Sequence, residues 1–208
     1  RILDGAGRIL AVVNTYGRIS FDVGPTLMTW LLRHAPDVHE AIVQADRDAV
    51  ARWGHGVAMA QGYNHTILPL ASDRDRRTQV RWGLADFRHR FGRDAEGLWL
   101  PECAVDTPTL EALAAEGVRF TVLAPGQVDA VRAPGGAWTH GVEPGRPYTV
   151  HLPSGRSIAV FPYDGGLAQA IAFGGLLRSG DALHDGLVRR AHEDGVLFHT
   201  ATDGESYG

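Results

Sequence analysis

Short apolar runs alternate along this chain with segments whose apolar residues recur every three or four positions, the two periodicities of strand and helix. Residues 18–23 alternate as a strand and are punctuated by Gly24-Pro25. Residues 26–34 and 37–53 read as helices separated by Pro36. A second strand over 57–62 runs out at Tyr63-Asn64-His65. The segment 75–91 predicts an amphipathic helix, with Val80, Leu84, Phe87 and Phe91 on one face, Arg residues elsewhere, and Gly92 as its stop. Beyond it the pattern gives a strand over 97–100, a helix over 107–116 ended by Gly117, and a strand over 120–123. Residues 134–153 are rich in Gly and Pro and read as a loop excursion. A strand over 158–161, a helix over 181–193 and a last strand over 196–200 complete the chain. Strand–helix alternation of this kind predicts an α/β fold with parallel strands joined by helical crossovers. No internal repeat or low-complexity tract interrupts it.

Composition narrows the partners. A length of 208 residues suits one α/β domain, or part of a larger one, so residues 1–208 are expected to form a single catalytic domain. A net charge of -4 with no basic cluster points away from nucleic acid. No run approaches the roughly 18 apolar residues that cross a bilayer, so no membrane partner is expected. The single cysteine, Cys103, cannot form an internal disulfide, which favours a reducing, cytoplasmic location. The chain opens at Arg1 without a Met and stops at Gly208 inside a motif, as an excised piece would. The ten histidines show no metal-ligand spacing; His34 and His39, and His184 and His192, read as solvated helix positions. No metal or cofactor is expected, and the sequence does not indicate an oligomeric state.

Two carboxylates stand where short apolar runs end: Glu102 after Gly97-Leu98-Trp99-Leu100-Pro101, and Asp203 after Phe198-His199-Thr200-Ala201-Thr202. The residue just past a buried parallel strand sits at the mouth of an α/β barrel or sheet. Two carboxyl groups delivered there from different strands are the equipment for splitting a glycosidic bond. Taken singly, each is better explained as an ordinary strand-end or helix cap. His199 lies four residues before Asp203 on a strand-like run, so both point to one side, making His199 a sugar-hydroxyl ligand or a tuner of its neighbour; a core histidine bonded to backbone is the alternative. His65 sits at a strand exit before a Pro-containing turn, as a ligand or a loop cap. Trp99 is either a stacking platform for a sugar or a buried barrel aromatic. Glu205 reads as a residue that orients the final turn.

The motif Trp99-Leu100-Pro101-Glu102, followed by a helix at Thr107, is similar to the nucleophile motif of glycoside hydrolase family 57. Asp203-Gly204-Glu205-Ser206-Tyr207-Gly208 resembles that family's acid/base motif. Ile158-Ala159-Val160-Phe161-Pro162-Tyr163-Asp164 resembles the strand leading to a further barrel-mouth residue, and Tyr63-Asn64-His65-Thr66-Ile67-Leu68-Pro69-Leu70 the region carrying a polar substrate-facing side chain. The four elements run in family order over residues 57–208, closest in character to an uncharacterised subgroup. The resemblance implies an incomplete (β/α)7-type barrel with parallel strands, lacking the first-strand His-Gln-Pro motif and the C-terminal helical region. It implies a retaining enzyme, hydrolase or transglycosidase, acting on an oligo- or polysaccharide of the α-glucan class (amylase, 4-α-glucanotransferase or branching type, with an α-galactosidase also open). Glu102 would be nucleophile and Asp203 acid/base, with His65, Trp99, Asp164 and His199 contacting substrate. The loop over 134–153 would admit either water or an acceptor sugar. Two other readings stand beside it. A metal-dependent carbohydrate deacetylase on a related barrel needs an Asp-Asp pair and a His-x-x-x-His set, which the sequence does not show. A non-catalytic carbohydrate-binding module would have no use for two strand-mouth carboxylates.

Overall fold

The computed structural model describes residues 2–190 and 197–207. The chain divides into two compact units, residues 1–118 and 119–208.

The first unit opens with an antiparallel hairpin, β1 (Ile2–Leu3) and β2 (Ile9–Ala11), whose turn is tied by Arg8 Nε donating to Asp4 at 2.7 Å. A 3-10 turn, Thr15–Arg18, follows, capped by Asn14 accepting from the Tyr16 N–H. This turn takes Arg18 from the strand expected over 18–23, residues 19–20 are irregular, and only Phe21–Asp22 pairs as β3. Helix α1 (Pro25–His34) and helix α2 (Pro36–Trp53) both begin with a proline, whose missing N–H costs nothing in a first turn. Pro36, expected between the helices, is thus the first residue of α2. Strand β4 (Ala58–Gln61) lies at the centre of a parallel ladder, with Phe21 opposite Ala58 on one side and Ala60 opposite Leu98 on the other. Helix α3 (Asp73–Phe91) starts two residues before its predicted position because Ser72 accepts from the Asp75 N–H and caps it. Asp73 and Asp75 in its first turn and Arg88, His89 and Arg90 in its last complement the helix dipole. Strand β5 (Leu98–Trp99) and helix α4 (Thr107–Ala115) complete the unit.

Its core joins Met28 and Leu31 of α1, Ile42 and Val43 of α2, Val80, Phe87 and Phe91 of α3, and Leu98, Leu100 and Leu113, all buried. Ala58 and Ala60 keep β4 thin, and Gly83 lets α3 come down on its end: a Cβ on Gly83 would stand 2.0 Å from the Gln61 carbonyl oxygen. Buried polar groups are fastened rather than excluded. Asp46 is 1 % exposed, and accepts from Arg93 Nε and Nη2, both at 2.8 Å, and from the Ala58 N–H at 2.7 Å. Arg93 also donates to the Ala58 carbonyl at 2.9 Å and lies over the Phe87 ring. Arg76, expected with the other arginines on the solvated side of α3, is buried and donates to the Leu68 and Ala71 carbonyls. His34 is exposed, but His39 is not the solvated position expected. Its Nε2 is buried with no partner among the described residues, and burial, then the charge of Arg90, lowers its pKa below the ordinary 6.5.

The second unit is built on a three-stranded sheet. Strand β6 (Phe120–Leu123) pairs in parallel with β10 (Ser157–Pro162), as strands from successive α/β units should. The segment read as a loop over 134–153 holds more structure than its Gly and Pro content suggests. β7 (Ala130–Val131) and β8 (Thr139–His140) pair antiparallel, and β9 (Tyr148–His151) runs antiparallel along β10. The alternating exposure of Tyr148-Thr149-Val150-His151 is the edge-strand pattern that glycine and proline neighbours concealed. Helix α5 (Gly165–Ala172) was hidden by its opening Gly165-Gly166; Asp164 caps it by accepting from the Leu167 N–H at 2.8 Å. Helix α6 (Gly180–Val188) ends before the predicted 193: Arg189 and Arg190 form a turn, and 191–193, with His192, lie outside the described residues. His184 is exposed. Residues 197–200 are not a strand, and Val196 lies outside the described residues. Both units are α/β, with parallel pairing in each, but the strands among the described residues form separate two- and three-stranded sheets and not the barrel expected. Among the described residues, no helix is long and apolar enough to cross a membrane.

The Asp46–Arg93 pair yields a stability prediction. Asp46→Ala leaves a part-buried guanidinium and the Ala58 N–H without this acceptor, so the chain should lose about 3 kcal/mol of unfolding free energy in urea titrations. Arg81→Ala, which breaks an exposed pair with Glu116, should cost less than about 1 kcal/mol in the same assay.

Candidate active site

Three parallel strands of the first unit end side by side. Register places Asp22 against Met59 and Gln61 against Trp99, so the segments that follow leave from one edge of the ladder. That edge, the carboxyl end of the strands, is where α/β sheets bind ligands. Gln61 links two of the exits: its amide oxygen accepts from the Gly24 N–H at 2.6 Å and its amide nitrogen donates to Asp22 at 3.3 Å.

From β4 the chain turns outward through Tyr63 and His65. Tyr63 N–H donates to the Gln79 carbonyl at 3.1 Å, and Asn64 N–H donates to the Gln79 side chain at 2.7 Å, so α3 holds this exit. From β5 the chain enters a tight 3-10 turn, Pro101–Cys103, closed by Cys103 N–H on the Leu100 carbonyl at 2.8 Å. Glu102 has φ 56° and Cys103 φ 52°, two successive side-chain-bearing residues in the left-handed region. Each costs roughly 1–3 kcal/mol, and such strain persists where surrounding structure imposes it, often at functional sites. Its effect is geometric: the turn buries Cys103 and leaves the Glu102 side chain 70 % exposed.

His65 and Glu102 meet, with Nε2 and Oε1 at 3.0 Å. A carboxylate oxygen only accepts, so Nε2 carries the proton. The ring therefore fixes one carboxylate oxygen and leaves the other toward solvent. Trp99, at the end of β5, is half-buried.

In the second unit, Asp164 is engaged at every polar atom. Its carboxylate caps α5 and takes Arg190 Nη1 on both oxygens at 2.8 Å; its N–H donates to the His199 carbonyl and its carbonyl accepts from Thr200 Oγ1. Burial pulls its pKa upward, but the Leu167 N–H and Arg190 outweigh that, and it lies below the ordinary carboxylate value. His199 is half-buried beside the Phe161 ring and donates to the Pro162 carbonyl. Its Nε2 is buried without a partner among the described residues, so Nδ1 is the donor. Burial holds its pKa below 6.5, the Pro162 bond opposing in part. Asp203 is exposed, and its carbonyl accepts from the Ser206 N–H at the start of the 3-10 turn Gly204–Tyr207, which contains Glu205. Because 197–207 is irregular and then 3-10, the four-residue spacing of His199 and Asp203 does not give them the common face expected of a strand. Residues that the pattern did not single out are Gln61, Gln79 and Arg190, polar side chains whose partners are distant in sequence. Among the described residues, no group of three or more His, Cys, Asp or Glu is gathered as a metal site.

Two outcomes follow from this geometry. Glu102→Gly removes a left-handed strain while losing only an exposed ion pair, so unfolding free energy should rise by about 1 kcal/mol in urea titrations, even as any activity is lost. His199, held down by burial, should titrate below the ordinary 6.5 in an NMR titration of the imidazole carbons. The native state resists its protonation, so the associated stability is present above pH 6.5 and lost as pH falls through the folded value. His199→Gln should accordingly show a smaller loss of urea stability between pH 7.5 and 5.5 than the unaltered chain.

The geometry has relatives. The structure resembles that of 4-alpha-glucanotransferase from Thermococcus litoralis, with a TM-score of 0.66 and 21 % identity over 93 % of this chain and 28 % of that one. It resembles equally the exo-type maltose-forming amylase from Pyrococcus sp. ST04, with a TM-score of 0.66 and 18 % identity over 91 % and 32 %. Puue allantoinase is more distant, at a TM-score of 0.51 and 16 % identity over 84 % and 52 %. At these identities the likeness is one of fold. The chain spans about a third of the length of the first two. No curated protein matches it. The model of Glycosyl hydrolase family 57 matches residues 20–208, reaching back beyond the motifs to β3 and α1, and the chain belongs to that family.

Proposed function

We propose that residues 1–208 are part of the catalytic (β/α)7 barrel domain of a retaining glycosidase or transglycosidase acting on α-glucans. One observation carries this: a carboxylate stands exposed on a strained turn at a parallel strand exit, with a histidine N–H from the neighbouring strand exit on one oxygen. Membership of the family agrees with it. Glu102 is the nucleophile. Its free oxygen attacks the anomeric carbon of the α-linked glucosyl unit, the glycosidic bond breaks, and a β-linked glycosyl-enzyme forms. His65 keeps the attacking group in one rotamer, so little orientational freedom is lost on reaching the transition state. Asp203 is the acid/base: it protonates the departing oxygen and then removes a proton from water or an acceptor hydroxyl as that attacks. Trp99 lends an apolar ring face, and His199 and Asp164 act on substrate through the segments they hold, since the Nε2 of one is buried and the oxygens of the other are occupied. Water gives an amylase, an acceptor sugar a transferase or branching enzyme. A cytoplasmic setting keeps the lone Cys103 reduced.

Separate roles for the two carboxyls can be read from substitution in the intact enzyme. Glu102→Gln should abolish turnover of every α-glucoside. Asp203→Asn should lower turnover of natural substrates by about 10²–10⁴-fold, yet still form glycosyl-enzyme from a glycosyl fluoride, whose leaving group needs no acid. Azide, needing no base, should rescue Asp203→Asn and yield the α-azide by attack on the β-linked intermediate. With Glu102→Ala, azide should attack the α-fluoride directly and yield the β-azide. The opposite pairing would exchange the roles, and full activity of both variants would end the proposal.

A further inference from the structure

Beside the His65–Glu102 pair lies a groove of about 440 Å³, within the roughly 300–1,000 Å³ of small-molecule sites. Its wall is the first two turns of α1, with Pro25, Leu27 and Trp30, and the exit of β4, with Gln61, Tyr63 and His65. It therefore opens at the carboxyl ends of β3 and β4, and His65 belongs both to the groove and to the candidate nucleophile.

Several features mark it as built rather than incidental. Trp30 is 54 % exposed and Leu27 51 %, although α1 has a buried side, Met28 and Leu31, on which apolar residues of this size could have packed. The Trp30 ring rests against His34, 5.0 Å between centroids, which limits its rotamers. Tyr63 is held edge-on by Trp82 at 5.7 Å and by its N–H on Gln79. Gln61 clamps the Gly24 N–H and so fixes the start of α1 relative to β4. A rigid aromatic face at low entropic cost, bordered by a hydroxyl (Thr26), an amide (Gln61) and an imidazole (His65), suits one kind of ligand. A pyranose ring presents C–H faces that stack on an aromatic ring and hydroxyl edges that bond to polar groups. Continuity through His65 makes this ring another unit of the chain that reacts at Glu102.

We propose that the groove is a sugar subsite in which Trp30 stacks a glucosyl unit removed from the cleavage point, setting the preference for chain length. This rests on the glycosidase reading above. In the intact enzyme, kcat/KM would be measured on maltooligosaccharides from maltotriose to maltoheptaose for Trp30→Ala, Trp30→Phe, Trp53→Ala and Glu102→Gln. Trp53, 52 % exposed at the far end of α2, controls for loss of any surface indole. Trp30→Ala should lower kcat/KM about ten-fold for maltoheptaose and progressively less as the substrate shortens, Trp30→Phe should restore most of it, and Trp53→Ala should match the unaltered enzyme. In the Glu102→Gln background, titration with maltoheptaose should perturb Trp30 fluorescence, and Trp30→Ala should weaken binding to the same degree. Equal kcat/KM for Trp30→Ala and the unaltered enzyme at every length, or a loss independent of length, overturns the subsite while leaving the reaction in place. Wild-type turnover by Glu102→Gln overturns the reaction on which the subsite rests.

Discussion

The carboxylate of Asp46, buried in helix α2, ties three segments of the first unit together. It gathers the start of the central strand β4 through the Ala58 N–H and the segment after α3 through Arg93, which returns to the Ala58 carbonyl. Such a pair has a desolvation cost that only full hydrogen bonding offsets, and here both oxygens are used. The sequence makes room for it with Gly56, where a Cβ would stand 2.1 Å from the Arg93 guanidinium. Fixing β4 at its start fixes its other end too, since the strand is only four residues long. From that end Gln61 reaches β3 and His65 reaches Glu102. The order of dependence runs from a buried charge to a strand, and from the strand to the histidine.

Much of this was legible in the residues because local signals and tertiary demand agree. Gly92, the Gly24-Pro25 break and the Val80/Phe87/Phe91 stripe each mark an element that forms where the pattern puts it, although the Ser72 cap starts α3 two residues early. Where they disagreed, a partner distant in sequence decided. Tyr148–His151 is a strand because β10 lies beside it, whatever the surrounding Gly and Pro suggest, and 197–200 lacks strand pairing despite its apolar residues. Arg76 is buried because three acceptors around residues 68–73 await it, a fact no helical wheel contains. Glu102 and His65 stood out as polar residues at strand exits, whereas the strand expected before Asp203 does not form over 197–200. The bond between His65 and Glu102 joins positions 37 apart, and no periodicity encodes it.

Fold and chemistry separate cleanly in this family's neighbourhood. An α/β sheet with ligand-binding strand exits serves many reactions, and side chains at those exits choose among them. On the reading proposed above, the choice in this chain falls to a turn that holds Glu102 and Cys103 left-handed, one exposed and one buried. A glycine would take that turn more comfortably, but it would bring no carboxylate.

His65 and Glu102 stand on the segments that leave two hydrogen-bonded neighbours, β4 and β5, four and three residues past the paired Gln61 and Trp99. Helix α3 holds the first of these segments through Gln79, and the Cys103 N–H on the Leu100 carbonyl closes the second. A change that loosens α3 would therefore part the pair while the ladder stayed whole. The contact depends on a helix that contributes no atom to it.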